Sequence, residues 1–272
     1  VTKTPKSEFG AVDRTENPAD FVRYLDRVRG TAFFQEIKGR LLELMNLHSG
    51  EAALDVGCGT GEDVRAVAER VGPEGTAIGV DISQTMIAAA GQRCREHAPA
   101  ARFVVAAAQR LPFDSGSFHA VRAERLLQHV SKPVDSLLEM VRVAKRGGRL
   151  AIWEGDLDLL VFDSTDNDAS RCVQRFICDR FQNGTIGRRL YRMFREAGLT
   201  DVEVFPFLLG VSDLDLIDSA FDLTASIELV VASGLLESKR AMLWLDSLRA
   251  ASAAGTFFSA VGGFIAYGVK PW

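Results

Sequence analysis

The chain has 272 residues, 47% hydrophobic and 25% charged, the composition of a folded domain rather than of a disordered chain. Lys and Arg number 32 against 36 Asp and Glu, and the resulting formal charge of −4 repels phosphate backbones, so nucleic acid is not expected as a partner. Cys58, Cys94, Cys172 and Cys178 lack the spacing of a disulfide scaffold or a metal site, and no apolar run or leader-like start points away from a cytoplasmic protein without stable membrane insertion.

Residues 1–17 are polar and charged and are expected to form a mobile tail. Asn17-Pro18-Ala19-Asp20 reads as a helix start, with proline in the first turn where a missing N–H costs nothing. Phe21, Tyr24, Leu25 and Val28 recur at helical spacing up to Gly30, and Phe34, Ile37, Leu41, Leu42 and Met45 mark a second amphipathic helix over 33–47. Residues 18–50 are thus expected to form a helical lid.

From residue 51, apolar runs at 52–56, 76–80, 102–106, 118–121 and 149–153 alternate with helix-compatible stretches at 62–71, 83–98 and 133–145. This rhythm implies parallel strands joined by right-handed crossovers. It then changes to helices over 165–182 and 186–197, stopped by Gly198, and a strand over 201–207. Helices over 213–232 and 237–251 and a last strand near 263–269 follow. The expected fold is α/β, a Rossmann-like, mostly parallel seven-stranded sheet with helices on both faces. It occupies residues 51–272, with helical insertions at about 157–197 and 211–251 forming a C-terminal cap over the substrate.

Leu54-Asp55-Val56-Gly57-Cys58-Gly59-Thr60-Gly61 stands directly after a strand and before a helix. Its three alternating glycines let the backbone turn tightly and approach a ligand without Cβ obstruction. Asp81 ends the next apolar run, where a carboxylate can accept hydrogen bonds from ribose hydroxyls. A dinucleotide site would use G-x-G-x-x-G; here the spacing is G-x-G-x-G and Glu62 follows, a carboxylate that opposes an incoming pyrophosphate. A nucleoside ligand without phosphates fits better, and S-adenosylmethionine is one. A nicotinamide-dependent oxidoreductase is disfavoured on the same grounds.

At these residues the chain resembles the class I S-adenosylmethionine-dependent methyltransferases, in particular the small-molecule subgroup similar to ubiquinone and menaquinone methylases. LDVGCGTG matches the family's glycine motif, and GVDISQTMIAAA (79–90) its acidic loop. AQRLPFDSGSFHAVRAERLLQHV (108–130) and RVAKRGGRLAIWE (142–154) resemble the later motifs, and GRRLYRMFREAGLTDVEV (187–204) a late helix–strand unit. The resemblance implies that Gly57, Cys58, Gly59, Thr60 and Gly61 face the methionine and ribose portion, and that Asp55 orients the loop or the cofactor amino group. Asp81 would hold the ribose, with Ile82 and Met86 flanking adenine. The subgroup often has an Asp before LPF; this chain has Ala106-Ala107-Ala108-Gln109, so Gln109 or the backbone at Ala107 and Ala108 would recognise adenine. Glu124 and Arg125 match positions lining the cofactor and acceptor pocket, and Tyr24 and Arg29 would cover the cofactor.

The expected activity is methyl transfer to a small-molecule acceptor, a specialised metabolite or quinone-like compound, with S-adenosylhomocysteine as product and no metal required. Deprotonation of the acceptor, where needed, would fall to His129, Glu154 or Asp156. His129 packing at a helix end, and Glu154 and Asp156 capping a strand end, are the structural alternatives. His119 reads as structural, and His48 and His97 as solvated. Arg171, Arg175, Arg180, Arg188, Arg189, Arg192 and Arg195 would suit an anionic acceptor, although a solvated, ion-paired helix face is the commoner meaning of such a pattern. Two other functions stay open, a cofactor-binding module without methyl transfer and a fold recruited for cyclisation or rearrangement. So does a homodimer.

Overall fold

The computed structural model describes residues 9–95, 98 and 100–272, without the side chains of Arg27, Val28, Arg29 and Ala32. His97 lies outside the described residues. Among these, seven strands form one sheet: β1 (Ala52–Val56), β2 (Thr76–Asp81), β3 (Ala101–Val105), β4 (Phe118–Glu124), β5 (Ala144–Phe162), β6 (Thr200–Val211) and β7 (Ser259–Val269). Their order is β3–β2–β1–β4–β5–β7–β6. The first five run parallel to their neighbours, and β7 is antiparallel to both β5 and β6. The strand order reverses between β1 and β4, which places a ligand crevice at their carboxyl ends.

Side chains of alternate strand residues decide what packs on each face. On one face Leu54, Val56, Val121, Leu150 and Ile152 meet α5 (Pro133–Val143) and α7 (Leu190–Glu196) through Leu137, Met140, Leu190 and Phe194. On the other, Ala53, Ala77, Ala120 and Ala151 are small, so α2 (Ala32–Met45) and α3 (Glu62–Val71) approach closely through Ile37, Leu41, Val64 and Val67. Continuing along that second face toward the carboxyl ends, Ala53 is followed by Asp55, and Ala120 by Arg122 and Glu124. The period of two thus carries the alanine face directly into a cluster of charges.

α1 (Pro18–Arg29) and α4 (Gln84–Cys94) complete the layer near the site. Ser83 caps α4, its hydroxyl accepting the Met86 N–H at 3.2 Å. Phe9–Arg14 departs from the expected tail: it is a 3-10 helix whose Val12 is buried with Phe21 and Met86. Asp13 latches it to the start of α4, its carboxylate accepting Ser83 Oγ–H at 2.7 Å and the Gln84 and Thr85 N–H groups at 2.7 and 3.2 Å. The N-terminus of a helix is a favourable place for that carboxylate.

β5 is longer than its apolar run, 149–153, implied. Beyond a register shift after Asp156 it pairs Val161 and Phe162 with Ala260 and Ser259 of β7. This extension carries a second hydrophobic cluster, where Leu160, Phe162 and Val211 meet α6 (Asn167–Asp179), α8 (Leu214–Phe221), α9 (Leu223–Ala232) and α10 (Ser238–Ala253). Trp244 centres it, its ring edge-on to Phe162 at 5.3 Å and its Nε1–H donating to Ser170 Oγ at 2.9 Å. The single helix expected over 213–232 is two, broken at Asp222, whose φ of 45° lies in the left-handed region. No helix among the described residues is long and apolar enough to cross a membrane.

Candidate active site

A cavity of 620 Å³ opens at the carboxyl ends of β1, β2 and β4. The glycine loop forms its floor. Gly57, Gly59 and Gly61 all have positive φ, and a Cβ on Gly61 would come within 2.7 Å of Ala90 and 2.8 Å of Phe103. Gly61 therefore serves close packing of the loop on α4 and β3, and does not itself line the cavity; Gly57, Cys58, Gly59 and Thr60 do. Burial lifts the Cys58 thiol well above its ordinary pKa, so it is a neutral, packed group.

Asp81 reaches the loop from the end of β2. Its carboxylate accepts the Gly59 N–H at 3.0 Å and the Ser83 N–H at 2.9 Å, and burial raises its pKa against the pull of those amides. Ile82, Met86, Ala106, Ala108 and Gln109 continue the wall, whereas Ala107 does not line it. Phe9, Gly10, Ala11 and Val12 close the top, together with Leu25 of α1. Tyr24 stays behind this cover, its ring 5.8 Å from that of Phe9. The side chain of Arg29 lies outside the described residues.

Beneath the loop lies the charged cluster. Arg122, 1% exposed, sits 3.6 Å from Asp55, 3.4 Å from Asp63 and 3.0 Å from Glu124. Lys38 enters from α2, donating to Asp63 and to Glu124, the latter at 2.9 Å. Burial works against ionising Asp63, yet Arg122 and Lys38 hold its carboxyl down at about 2. Asp55 has only the more distant side of Arg122, and burial pushes it up to about 6. Burial also opposes the charges of Lys38 and Arg122, but the carboxylates outweigh it and raise both. Of the three carboxylates Asp55 lies farthest from a cation, 3.6 Å from Arg122, and is the least compensated. Arg125 joins at the edge, 3.4 Å from Glu124, its φ of 52° turning its guanidinium over the Phe34 ring at 4.4 Å.

Sequence reasoning missed Lys38, Asp63 and Arg122, although Lys38 and Arg122 left a trace. Lys38 interrupts the apolar stripe Phe34, Ile37, Leu41, and Arg122 interrupts a strand whose neighbours are apolar. Charges at positions that must be buried signal a paired network.

The three candidate bases separate. His129 lines the cavity. Glu154 and Asp156 do not: β5 runs on past them, so they are buried mid-strand groups rather than free strand ends. Glu154 accepts the N–H groups of Leu126, Leu127 and Gln128 at 2.8, 2.5 and 3.3 Å, and so fixes the turn after β4. Burial pushes its carboxyl up to about 8, against those amides. Asp156 holds Arg188, accepting from its guanidinium at 2.6 Å and its N–H at 3.2 Å. His119 is structural as expected, bonded to the Ala52 N–H at 2.9 Å and to Lys145 at 2.8 Å. Of the arginine-rich segment, Arg171, Arg175, Arg188 and Arg192 pair with acids nearby.

The methyltransferase domain family matches residues 53–148. The chain is 37% identical over 243 residues to an uncharacterized 37.1 kDa protein in transposon TN4556 of Streptomyces fradiae, covering 89% of this chain and 69% of that protein. It is 31% identical over 212 residues to the demethylmenaquinone methyltransferase of Geobacillus kaustophilus, covering 71% of this chain and 91% of the enzyme. The chain is a class I S-adenosylmethionine-dependent methyltransferase. A phosphoethanolamine N-methyltransferase of Haemonchus contortus, solved with phosphomonomethylethanolamine and S-adenosylhomocysteine, shares the fold at a TM-score of 0.62 and 20% identity, over 96% of this chain and 59% of that one. This methyltransferase keeps a cavity that suits its cofactor: a loop without side-chain obstruction, a carboxylate at the end of β2, and the least compensated carboxylate, Asp55, for a ligand bearing an ammonium and a sulfonium.

Proposed function

We propose that this methyltransferase acts on a small, largely apolar acceptor, a quinone-like compound or specialised metabolite, by in-line displacement. One observation carries the reading: the cavity runs from the glycine loop to Leu126, His129, Val130, Ser131 and Gln182, so a second ligand can lie beside the cofactor within one enclosure. That far end pairs the apolar Leu126 and Val130 with polar groups of His129, Ser131 and Gln182 that can orient a ligand. The similarity to a demethylmenaquinone methyltransferase supports the same class.

When bound, S-adenosylmethionine supplies an electrophilic methyl group. The protein's part is placement. Asp81 is positioned to take the ribose hydroxyls, and Asp55 to take the cofactor ammonium, because Asp63 and Glu124 are already committed to Lys38 and Arg122. Ile82, Met86, Ala108 and Gln109 suit the adenine. Phe9–Arg14 covers the cavity and keeps water from the reacting atoms. Holding two ligands in line supplies most of the acceleration such a reaction needs.

The test is transfer of labelled methyl from S-adenosylmethionine to demethylmenaquinol, plant phenols and simple amines, followed by mass analysis of the product. Methylation of one or more apolar acceptors is expected. Transfer confined to charged amines would contradict the reading.

A further inference from the structure

His129 is held in one protonation state by its surroundings. Gln128 Nε2 lies 2.9 Å from His129 Nε2. A primary amide nitrogen only donates, so the ring nitrogen it faces accepts, and the imidazole proton resides on Nδ1. The rings of Phe9 and Phe181 flank the imidazole at 5.3 and 5.8 Å, tilted by 42° and 41°. Burial, reinforced by Arg125, pushes the pKa down to about 3, so the ring is neutral. Nδ1 has no protein partner among the described residues and is not sealed from the cavity that His129 lines.

A proton arriving at Nε2 would have to displace the amide donor and create an imidazolium between two aromatic rings beside a guanidinium. Proton abstraction through this ring is therefore disfavoured, while donation through Nδ1–H is ready-made. We propose that His129 is a fixed hydrogen-bond donor, through Nδ1–H, to an oxygen of the methyl acceptor, with Gln128 as the positioning residue that sets its tautomer. This rests on the methyl-transfer reading and adds a requirement to it: the acceptor presents a carbonyl, enolate or phenolate oxygen at that end of the cavity. A hydrogen bond at the attacking atom itself would tie up the lone pair, so the oxygen held is a neighbour of the methylated atom.

The test is a long-range proton–nitrogen correlation spectrum of the full chain labelled with ¹⁵N-histidine, His129 being assigned through its contacts with the Phe9 and Phe181 rings. The donor role predicts the neutral Nδ1–H form with no titration between about pH 5 and about pH 8. It also predicts that 1-naphthol or 1,4-naphthoquinone, added with S-adenosylhomocysteine, moves the Nδ1–H resonance, and that Gln128→Leu yields a mixture of tautomers. An Nε2–H form, a titration in that window, or a resonance unmoved by both probes overturns the proposal. Failure of S-adenosylmethionine to bind in calorimetry would instead refute the methyl-transfer reading while leaving the tautomer result standing.

Discussion

Lys38→Met isolates the contribution of the charged cluster, because it keeps the aliphatic stem in the α2–sheet interface and deletes only the ammonium. In the native chain Asp55, Asp63 and Glu124 face Lys38 and Arg122, with Arg125 beside Glu124; without Lys38 the buried Asp55 and Asp63 are left to Arg122 alone. Breaking a buried pair by removing one partner costs about 3–5 kcal/mol. The Lys38 side chain retains 17% exposure and Arg122 still serves both of its carboxylates, so the loss belongs at the lower end, about 3 kcal/mol. It also depends on pH in a set direction. The folded Asp55 sits at about 6, above its unfolded value, so its burial penalises folding increasingly as pH rises to that point and fully beyond it. Deleting Lys38 raises the folded carboxyl pKa values further, and protonation at low pH then relieves the repulsion. Urea denaturation is expected to show a larger loss near pH 8 than near pH 5 (roughly one unit below the Asp55 value), and Lys38→Arg is expected to recover much of it. A loss under about 1 kcal/mol, or one equal at both pH values, would refute the network argument.

On the proposed role of Asp81 as the ribose acceptor, Asp81→Ala is expected to weaken S-adenosylmethionine binding by about 1–3 kcal/mol in calorimetry, with circular dichroism unchanged. Glu154→Gln turns an amide N–H₂ toward one of three backbone donors; stability is expected to fall by about 1–3 kcal/mol in thermal melts while cofactor affinity stays within about threefold. A large drop in affinity without loss of stability would return Glu154 to the ligand site. Gly61→Ala combines a positive φ with contacts of 2.7 and 2.8 Å, and a loss of about 2–4 kcal/mol by urea denaturation is expected.

The parallel half of the fold was legible because strand and helix periods alternate cleanly there; α3 begins and ends at Glu62 and Val71 as its pattern implies. Asp81 and the glycine loop were legible because their spacing is dictated by backbone geometry. Glu154 and Asp156 were misread for a physical reason. Carboxylates after an apolar run look like a strand end, but β5 continues to Phe162 because β7 supplies a partner from nearly 100 residues away, a pairing no local pattern records. Phe9–Arg14 was misread because Phe9 and Val12 are too few apolar residues to outweigh a polar segment; its docking depends on Asp13 meeting the start of α4. The Lys38–Arg122 cluster was visible only as charge in places that must be buried, which identifies a network without naming its members.

Calorimetric titration of nucleotide-free protein with S-adenosylmethionine, S-adenosylhomocysteine and NAD tests the central claim most directly. Saturable binding of the first two with one site per chain, and none of NAD, is the predicted result. Binding of NAD, or of neither sulfur compound, would contradict the assignment of the glycine loop and Asp81 to this cofactor.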